Sequence, residues 1–383
     1  MSWPRATAPA LAAALLVLAS GCGGSSAQTS PGPTATSPSN TPTSSPETDS
    51  APPTSGAGDP EVIGTVAADL EVPWGIAFLP DGSALVTERD SGKVLQLRPG
   101  ADGANAKVTT IGQIEEAQPD GEAGLLGVAV SPDFKRDSRV FFYVTAQDDN
   151  QVLRTTLQDG RLGVLRPILR GIPKAVNHDG GRMVFGPDGM LYVSTGEAGQ
   201  PDLAQEPTSL GGKILRIDQD GKAPRSNPSA GSPVWTSGHR NVQGLAFDAD
   251  GNLWASEFGA QTYDELNLIE RGRNYGWPVF EGKGNDAAFA DPQVTWSTDD
   301  ASPSGLAFLD GRLWLGALRG ERLWRVAVNG AKAGDEKGYL VGDYGRLRTV
   351  VAAPDGNLWV TTSNRDGRGD PAATDDRILL VRP

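Results

Sequence analysis

The chain has 383 residues, with 49 glycines, 29 prolines, nine tryptophans and moderate charge, a composition suited to many short strands joined by tight turns rather than to long helices. Its formal net charge of -13, with no Lys/Arg-rich run to offset it, excludes nucleic acid as a partner, because an acidic surface repels phosphates. Length alone leaves one or two domains open, so the count rests on internal repeats.

At the N-terminus Arg5 precedes an apolar run over 8–19, long enough for a signal-peptide core and too short to span a bilayer, so the protein is expected to be exported. The run ends in Leu18-Ala19-Ser20-Gly21-Cys22, which resembles a bacterial lipobox, although its leucine lies one place farther from the cysteine than is usual. Cys22 is the only cysteine and has no internal disulfide partner, which gives it a use as the lipid-bearing residue. Residues 1–22 therefore read as a lipoprotein signal with a membrane anchor at Cys22. The alternative is an ordinary secretory signal with an incidental cysteine. Residues 23–60 are almost wholly Ser, Thr, Pro, Gly and Ala, cannot offset their own ordering entropy, and are expected to form a disordered tether.

From there one phrase recurs: an apolar strand, a Pro-Asp-Gly type turn and a second strand rich in Leu, Trp and Val. Its copies occupy 74–82, 124–134, 181–189, 243–251, 303–311 and 349–356. The turn aspartates Asp81, Asp133, Asp188, Asp250, Asp310 and Asp355 recur at about 45 to 60 residues, the spacing of propeller blades. Proline presets φ, aspartate bonds the backbone ahead and glycine takes positive φ, so these aspartates are structural. Third strands are expected over 93–97, 213–217, 265–269, 322–326 and 377–381. The segment 62–67 is positioned to pair into the last blade and close the ring. The predicted fold class is all-β, a six-bladed β-propeller over 61–383.

In a propeller the innermost strands converge on a central channel, so residues entering them share one site. Counting back seven or eight places from the apolar residue that opens each turn gives Glu122, His178 and Arg240; the sixth unit places Arg346 and Arg348 four to six positions before Ala352. Each alone would read as a solvated strand end. Together they suggest an anionic ligand carrying several carboxylates or phosphates, held by guanidinium forks. The chain has two histidines, His178 and His239; the second is expected to brace its loop.

Three motifs then carry a resemblance: Asn177-His178-Asp179-Gly180-Gly181-Arg182, the run from Gly238-His239-Arg240-Asn241 through Phe247, and Asp264-Glu265-Leu266-Asn267-Leu268-Ile269 followed by Asn274-Tyr275-Gly276-Trp277-Pro278. From Val62 onward the chain resembles the soluble quinoprotein glucose, aldose sugar and sorbosone dehydrogenases. The resemblance implies oxidation of aldose sugars by bound pyrroloquinoline quinone (PQQ) with Ca2+, electrons leaving to an external acceptor. It makes His178 the general base on the anomeric hydroxyl, a role that suits imidazole near neutral pH, with Glu197, where the family usually has aspartate, orienting it. Arg240 and Asn241 match residues beside the reactive quinone carbonyl, Arg346 and Arg348 the pair gripping the cofactor's carboxylates, and Arg319 stands where the glucose enzymes have lysine.

Ca2+ is implied on the backbone carbonyls of Gly259 and Ala260, the second being proline in the family motif. A second calcium is implied at Glu265 and Tyr275 with Asp264; the alternative for those acids is a capping or strand-end pair. Glu122 replaces a sugar-contacting glutamine; its carboxylate still accepts hydroxyls and is expected to shift the pH profile. The aromatic insertions that cover substrate in the glucose enzymes are not evident, so a more open pocket is expected. Two other functions compete: a calcium-dependent propeller lactonase or hydrolase, which needs no such arginine set, and a sugar- or protein-binding propeller without turnover.

Overall fold

The computed structural model describes residues 58–383, so the signal segment, Cys22 and most of the expected tether lie outside the described residues. Six sheets follow one another along the chain, each a meander of sequential antiparallel strands, as in a six-bladed propeller. Blade one is Pro73–Phe78, Ala84–Glu88, Lys93–Arg98 and Lys107–Gln113; blade four is Val242–Phe247, Leu253–Glu257, Tyr263–Ile269 and Val294–Ser297. The sixth combines Leu347–Ala352, Leu358–Thr362 and Ile378–Arg382 with the first strand of the domain, Glu61–Ala67. That strand pairs antiparallel with Ile378–Arg382, Val62 opposite Val381 and Thr65 opposite Leu379, which closes the ring as the sequence predicts. Across the joint the Phe78 ring meets Trp359 edge-on at 4.8 Å.

Stacked blades bury both faces of their middle strands, so these read as continuous apolar runs, and Trp74, Trp254, Trp314 and Trp359 are almost wholly enclosed. Innermost strands approach closely at glycines: a Cβ on Gly127 would lie 2.1 Å from the Gly181 carbonyl, and one on Gly244 2.4 Å from that of Ser304. Only glycine permits that contact.

Two turns differ from expectation. Pro132-Asp133-Phe134 lacks a glycine and opens a single helical turn, Phe134–Asp137, closed by Ser138 at φ 53°. In the fourth unit Asp248 rather than Asp250 captures the turn: it accepts from the amides of Asp250 and Asn252 and from Trp254 Nε1. The sequence reading also omitted the third strand of blade two, Asn150–Gln158, and the outermost strands of the first five blades.

The channel has unlike ends. Where the inner strands end, a mouth of about 330 Å³ is lined by Phe78, Val130, Phe185, Phe247, Phe308 and their apolar neighbours. Arg182 lies buried in the channel, 4.2 Å over the Trp74 ring, with Nε donating to the Gln243 carbonyl and Nη2 to Thr349 Oγ1. Apart from Arg182, the polar side chains lining the channel cavities gather at the end where the inner strands begin.

Candidate active site

At that end a cavity of about 230 Å³ is lined by Glu122, His178, Arg240, Asn241, Gln243, Phe258, Ser302, Leu318, Arg319, Arg346, Arg348 and Arg368. The residues that the repeat spacing singled out, Glu122, His178, Arg240, Arg346 and Arg348, thus share one site.

His178 opens blade three in a left-handed conformation, φ 61°, which a non-glycine residue holds only when its surroundings fix it. Its amide donates to Glu122 Oε2 at 3.3 Å and its carbonyl accepts from the Ala198 amide at 3.1 Å. Nδ1 lies 2.8 Å from Glu197 Oε1, and the other Glu197 oxygen accepts the Gln200 amide at 3.0 Å. A carboxylate acceptor at Nδ1 places the ring proton there and leaves Nε2 as the basic nitrogen. The longer arm of Glu197 therefore reaches the imidazole in orienting geometry. His239 is fully buried between Thr236 Oγ1 and Glu257, stacked on Tyr275, and braces its loop.

The next residue, Asp179, ties this loop to blade two: Oδ1 accepts from Asn150 Nδ2 and the Ala175 amide, while buried Oδ2 has no partner among the described residues. Burial, reinforced by the nearby Glu122 charge and opposed by those two hydrogen bonds, pushes its carboxyl up to about 7. An acid whose pKa rises on folding weakens the fold once ionised. The penalty is absent below about pH 4, grows between about pH 4 and 7, where the unfolded chain ionises first, and levels off above 7. Asp179→Asn is therefore expected to match wild-type stability near pH 4 and exceed it at about pH 8. Denaturant unfolding at both pH values checks this, and equal stability at the higher pH contradicts it.

The arginines come from blades four, five and six. Arg346 and Arg348 both reach Asp366 Oδ2, at 3.0 and 3.2 Å, and Arg348 also donates to Ser363 Oγ and Gln243 Oε1. Burial lowers the Arg348 pKa to about 10, with the Arg89 and Arg346 charges acting in the same direction and Asp366 against it. For Asp366 burial works upward but is outweighed by Arg348 and Arg346, so it stays below the ordinary carboxylate range. One carboxylate shared by two buried guanidiniums leaves positive charge for a ligand to meet. Arg319 stands at the rim with an exposed side chain, 2.5 Å from Asp299. Asn241 accepts the Gly180 amide through Oδ1, which leaves its Nδ2 as the donor.

Arg240 Nη1 donates to the Gly259 carbonyl at 2.6 Å, so one oxygen expected on a metal already faces a cation. The amides of Ala260, Gln261, Thr262 and Tyr263 all converge on Glu281 Oε1. Of the residues expected on a second metal, Glu265 and Tyr275 line one small cavity with Glu257 and Glu281, and Asp264 does not line it. Both Asp264 oxygens are taken by the amides of Gly259 and Ser302, and the Tyr275 hydroxyl lies between the Leu268 carbonyl and the Glu270 amide. Glu265 accepts from the Gly282 amide and Asn267 Nδ2, and burial together with Glu257 pushes it up to about 8. Asp264 thus braces the loop bearing Gly259.

Asp366, Arg368, Gln243 and Phe258 escaped the sequence reading. Gln243 sits inside a motif already singled out, whereas Asp366 and Arg368 belong to a polar loop between strands with no periodic pattern to mark it.

The sequence profile of the glucose/sorbosone dehydrogenase family matches residues 70–380. Among solved structures, the PQQ-bound form of aldose sugar dehydrogenase from Streptomyces coelicolor superposes with a TM-score of 0.83 at 48% identity, covering 87% of this chain and 99% of that one. Aldose sugar dehydrogenase YliI of Escherichia coli is 32% identical over 334 residues, 78% of this chain and 89% of its own. Quinoprotein glucose dehydrogenase B of Acinetobacter calcoaceticus is 34% identical over 261 residues, 59% of this chain and 54% of its own.

Proposed function

The chain belongs to the glucose/sorbosone dehydrogenase family, and on that premise we propose that it is a quinoprotein oxidoreductase that converts aldose sugars to lactones with PQQ and Ca2+. The observation that carries this reading is the convergence of an oriented histidine and an under-neutralised set of guanidiniums on one cavity.

PQQ, when bound, supplies the acceptor for the hydride leaving the anomeric carbon. His178 Nε2 takes the proton of the anomeric hydroxyl, while Glu197 fixes the ring through Nδ1 and faces the imidazolium as it forms. Arg346 and Arg348 would hold carboxylates of the cofactor, and Arg240 and Asn241 would offer charge and a donor where negative charge develops on oxygen. Arg319 adds a cation at the rim, and Glu122 accepts a sugar hydroxyl. Ca2+ would be held by the Gly259 and Ala260 carbonyls, the first of which now accepts from Arg240 Nη1. The donor set fits a flat polyanion better than the bare metal site of a lactonase, since the cavity is rich in guanidiniums.

Chelator-treated, cofactor-free protein should be titrated with PQQ, with and without Ca2+, and followed by quinone absorbance. Saturation near one equivalent is expected with the metal, and markedly weaker binding without it. Equal affinity in both arms removes Ca2+ from the site, and no binding in either removes the quinoprotein reading. For location, we read the chain as exported and lipid-anchored outside the cytoplasm through Cys22, supported by the lipobox-like motif. Cys22→Ser should release the protein from membranes; membrane retention of that variant contradicts the anchor.

A further inference from the structure

The cavity has an uneven wall. Its lining side chains enter from blades two to six, and blade one supplies none. Over that gap runs an ion pair between loops 246 residues apart: Arg368 Nη1 donates to Glu122 Oε1 at 2.7 Å. Arg368 lies between the last two strands of the chain, and its amide donates to Asp366 Oδ1, the carboxylate that serves Arg346 and Arg348. Glu122 lies just before blade two, and its second oxygen holds the amide of His178.

These contacts form a relay from Arg368 through Glu122 to the His178 backbone. Burial works to raise the Glu122 pKa, but the Arg368 hydrogen bond and charge, followed by the His178 amide, outweigh it and keep the carboxylate below its ordinary range. Glu122 is therefore held ionised, one oxygen on Arg368 and the other on the His178 amide, each with a lone pair left for a sugar hydroxyl, beside a histidine whose left-handed backbone needs an outside constraint. Without Arg368 the carboxylate would be partly buried and uncompensated, free to turn toward other guanidiniums of the cavity and leave the His178 amide.

We propose that Arg368 is a positioning residue of the sugar-oxidising site: it closes the cavity over blade one and, through Glu122, fixes the backbone from which His178 acts. The kinetic part of this inference rests on the quinoprotein reading above; the structural part does not. Its rival is that Arg368 is one more cofactor-binding arginine. The contact with Glu122 is made by a single guanidinium nitrogen, so lysine can replace it, whereas a forked grip on a carboxylate would not survive that change.

The test uses the full-length chain and the variants Arg368→Ala, Arg368→Lys, Glu122→Gln and the double Arg368→Ala/Glu122→Gln. In reconstituted enzyme saturated with quinone, Arg368→Ala should lower kcat by about tenfold, the worth of one charge-assisted hydrogen bond. Arg368→Lys should restore most of that loss, and quinone affinity should stay near wild type in both. In the Glu122→Gln background, removing Arg368 should cost little more, because its intermediary is already gone. In cofactor-free protein the two histidines give two sets of ring signals, assigned by their loss in His178→Ala. Arg368→Ala and Glu122→Gln should both shift the His178 signals and leave those of His239 in place. This readout stands even if the chain oxidises no sugar. Unmoved His178 signals in Arg368→Ala overturn the proposal. So does an equal kinetic loss with and without Glu122, or a loss confined to quinone affinity, which would make Arg368 a cofactor ligand.

Discussion

His178→Ala should lower kcat by about two to four orders of magnitude, the usual worth of a positioned general base, while leaving quinone affinity close to wild type. The division follows from the geometry. The His178 ring is fixed through Nδ1 on Glu197, and its amide and carbonyl are spent on Glu122 and Ala198, so Nε2, which meets only Asn177 Nδ2 at a long 3.4 Å among the described residues, is the atom offered to the sugar. The carboxylate-binding groups come from blade six across the channel. Removing the imidazole deletes the proton acceptor and no guanidinium. Glu197→Gln should act in the same direction with a smaller loss, because the amide still reaches Nδ1 but no longer offsets the charge of the imidazolium. Cofactor titration followed by saturated turnover separates the two effects. Normal turnover of His178→Ala at saturating quinone would sink the assignment.

The arginine pair should give the opposite pattern. Arg346→Ala should weaken quinone binding by about ten- to a hundredfold, since hydrogen bonds to charged groups contribute roughly 1.5–3 kcal/mol each. Turnover should recover once the cofactor is saturating. Arg348→Ala should bind quinone less well still and lose stability too: Arg348 is the more deeply buried of the two and supports Ser363 and Gln243 as well as Asp366. The double variant leaves Asp366 buried without either partner, so its unfolding midpoint should fall well below those of the single variants. Cofactor affinity unchanged in the double variant contradicts the assignment.

The sequence carries the fold through its middle strands. Leu253–Glu257 and Leu191–Ser194 are buried on both faces and read as apolar runs bounded by turn residues, and Trp359 packs on Phe78 where the last blade meets the first. Outermost strands are illegible for the converse reason: Lys107–Gln113 is exposed at most positions and has no core to pattern it. The second unit's turn misleads because Phe134 stands where a glycine is expected, and the chain makes a helical turn instead. Asp250 misleads because Asp248, two places earlier, holds the turn amides of Asp250 and Asn252 in a loop of the same size as in the other units.

At the site, position relative to the repeat was enough to gather Glu122, His178, Arg240, Arg346 and Arg348, because the innermost strand of every blade begins at the same mouth. Asp366 and Arg368 reach that mouth from a loop after the second strand of blade six, where no repeat spacing points inward. The acids at 264 and 265 face different ways: Asp264 binds the amides of Gly259 and Ser302, while Glu265 takes the Gly282 amide and Asn267 beside Tyr275, a difference that adjacency in sequence does not reveal.

Reconstituted turnover tests the central claim most directly. Full-length protein stripped of cofactor should be supplied with Ca2+, then with increasing PQQ, in the presence of an aldose and an electron-accepting dye, with lactone measured alongside dye reduction. Without quinone the protein should be inert. Aldose-dependent dye reduction should rise with PQQ, saturate near one equivalent and yield lactone in step with the electrons delivered. Saturation with quinone and no aldose-dependent reduction, or hydrolysis of added lactone by the Ca2+-loaded protein alone, would contradict the account.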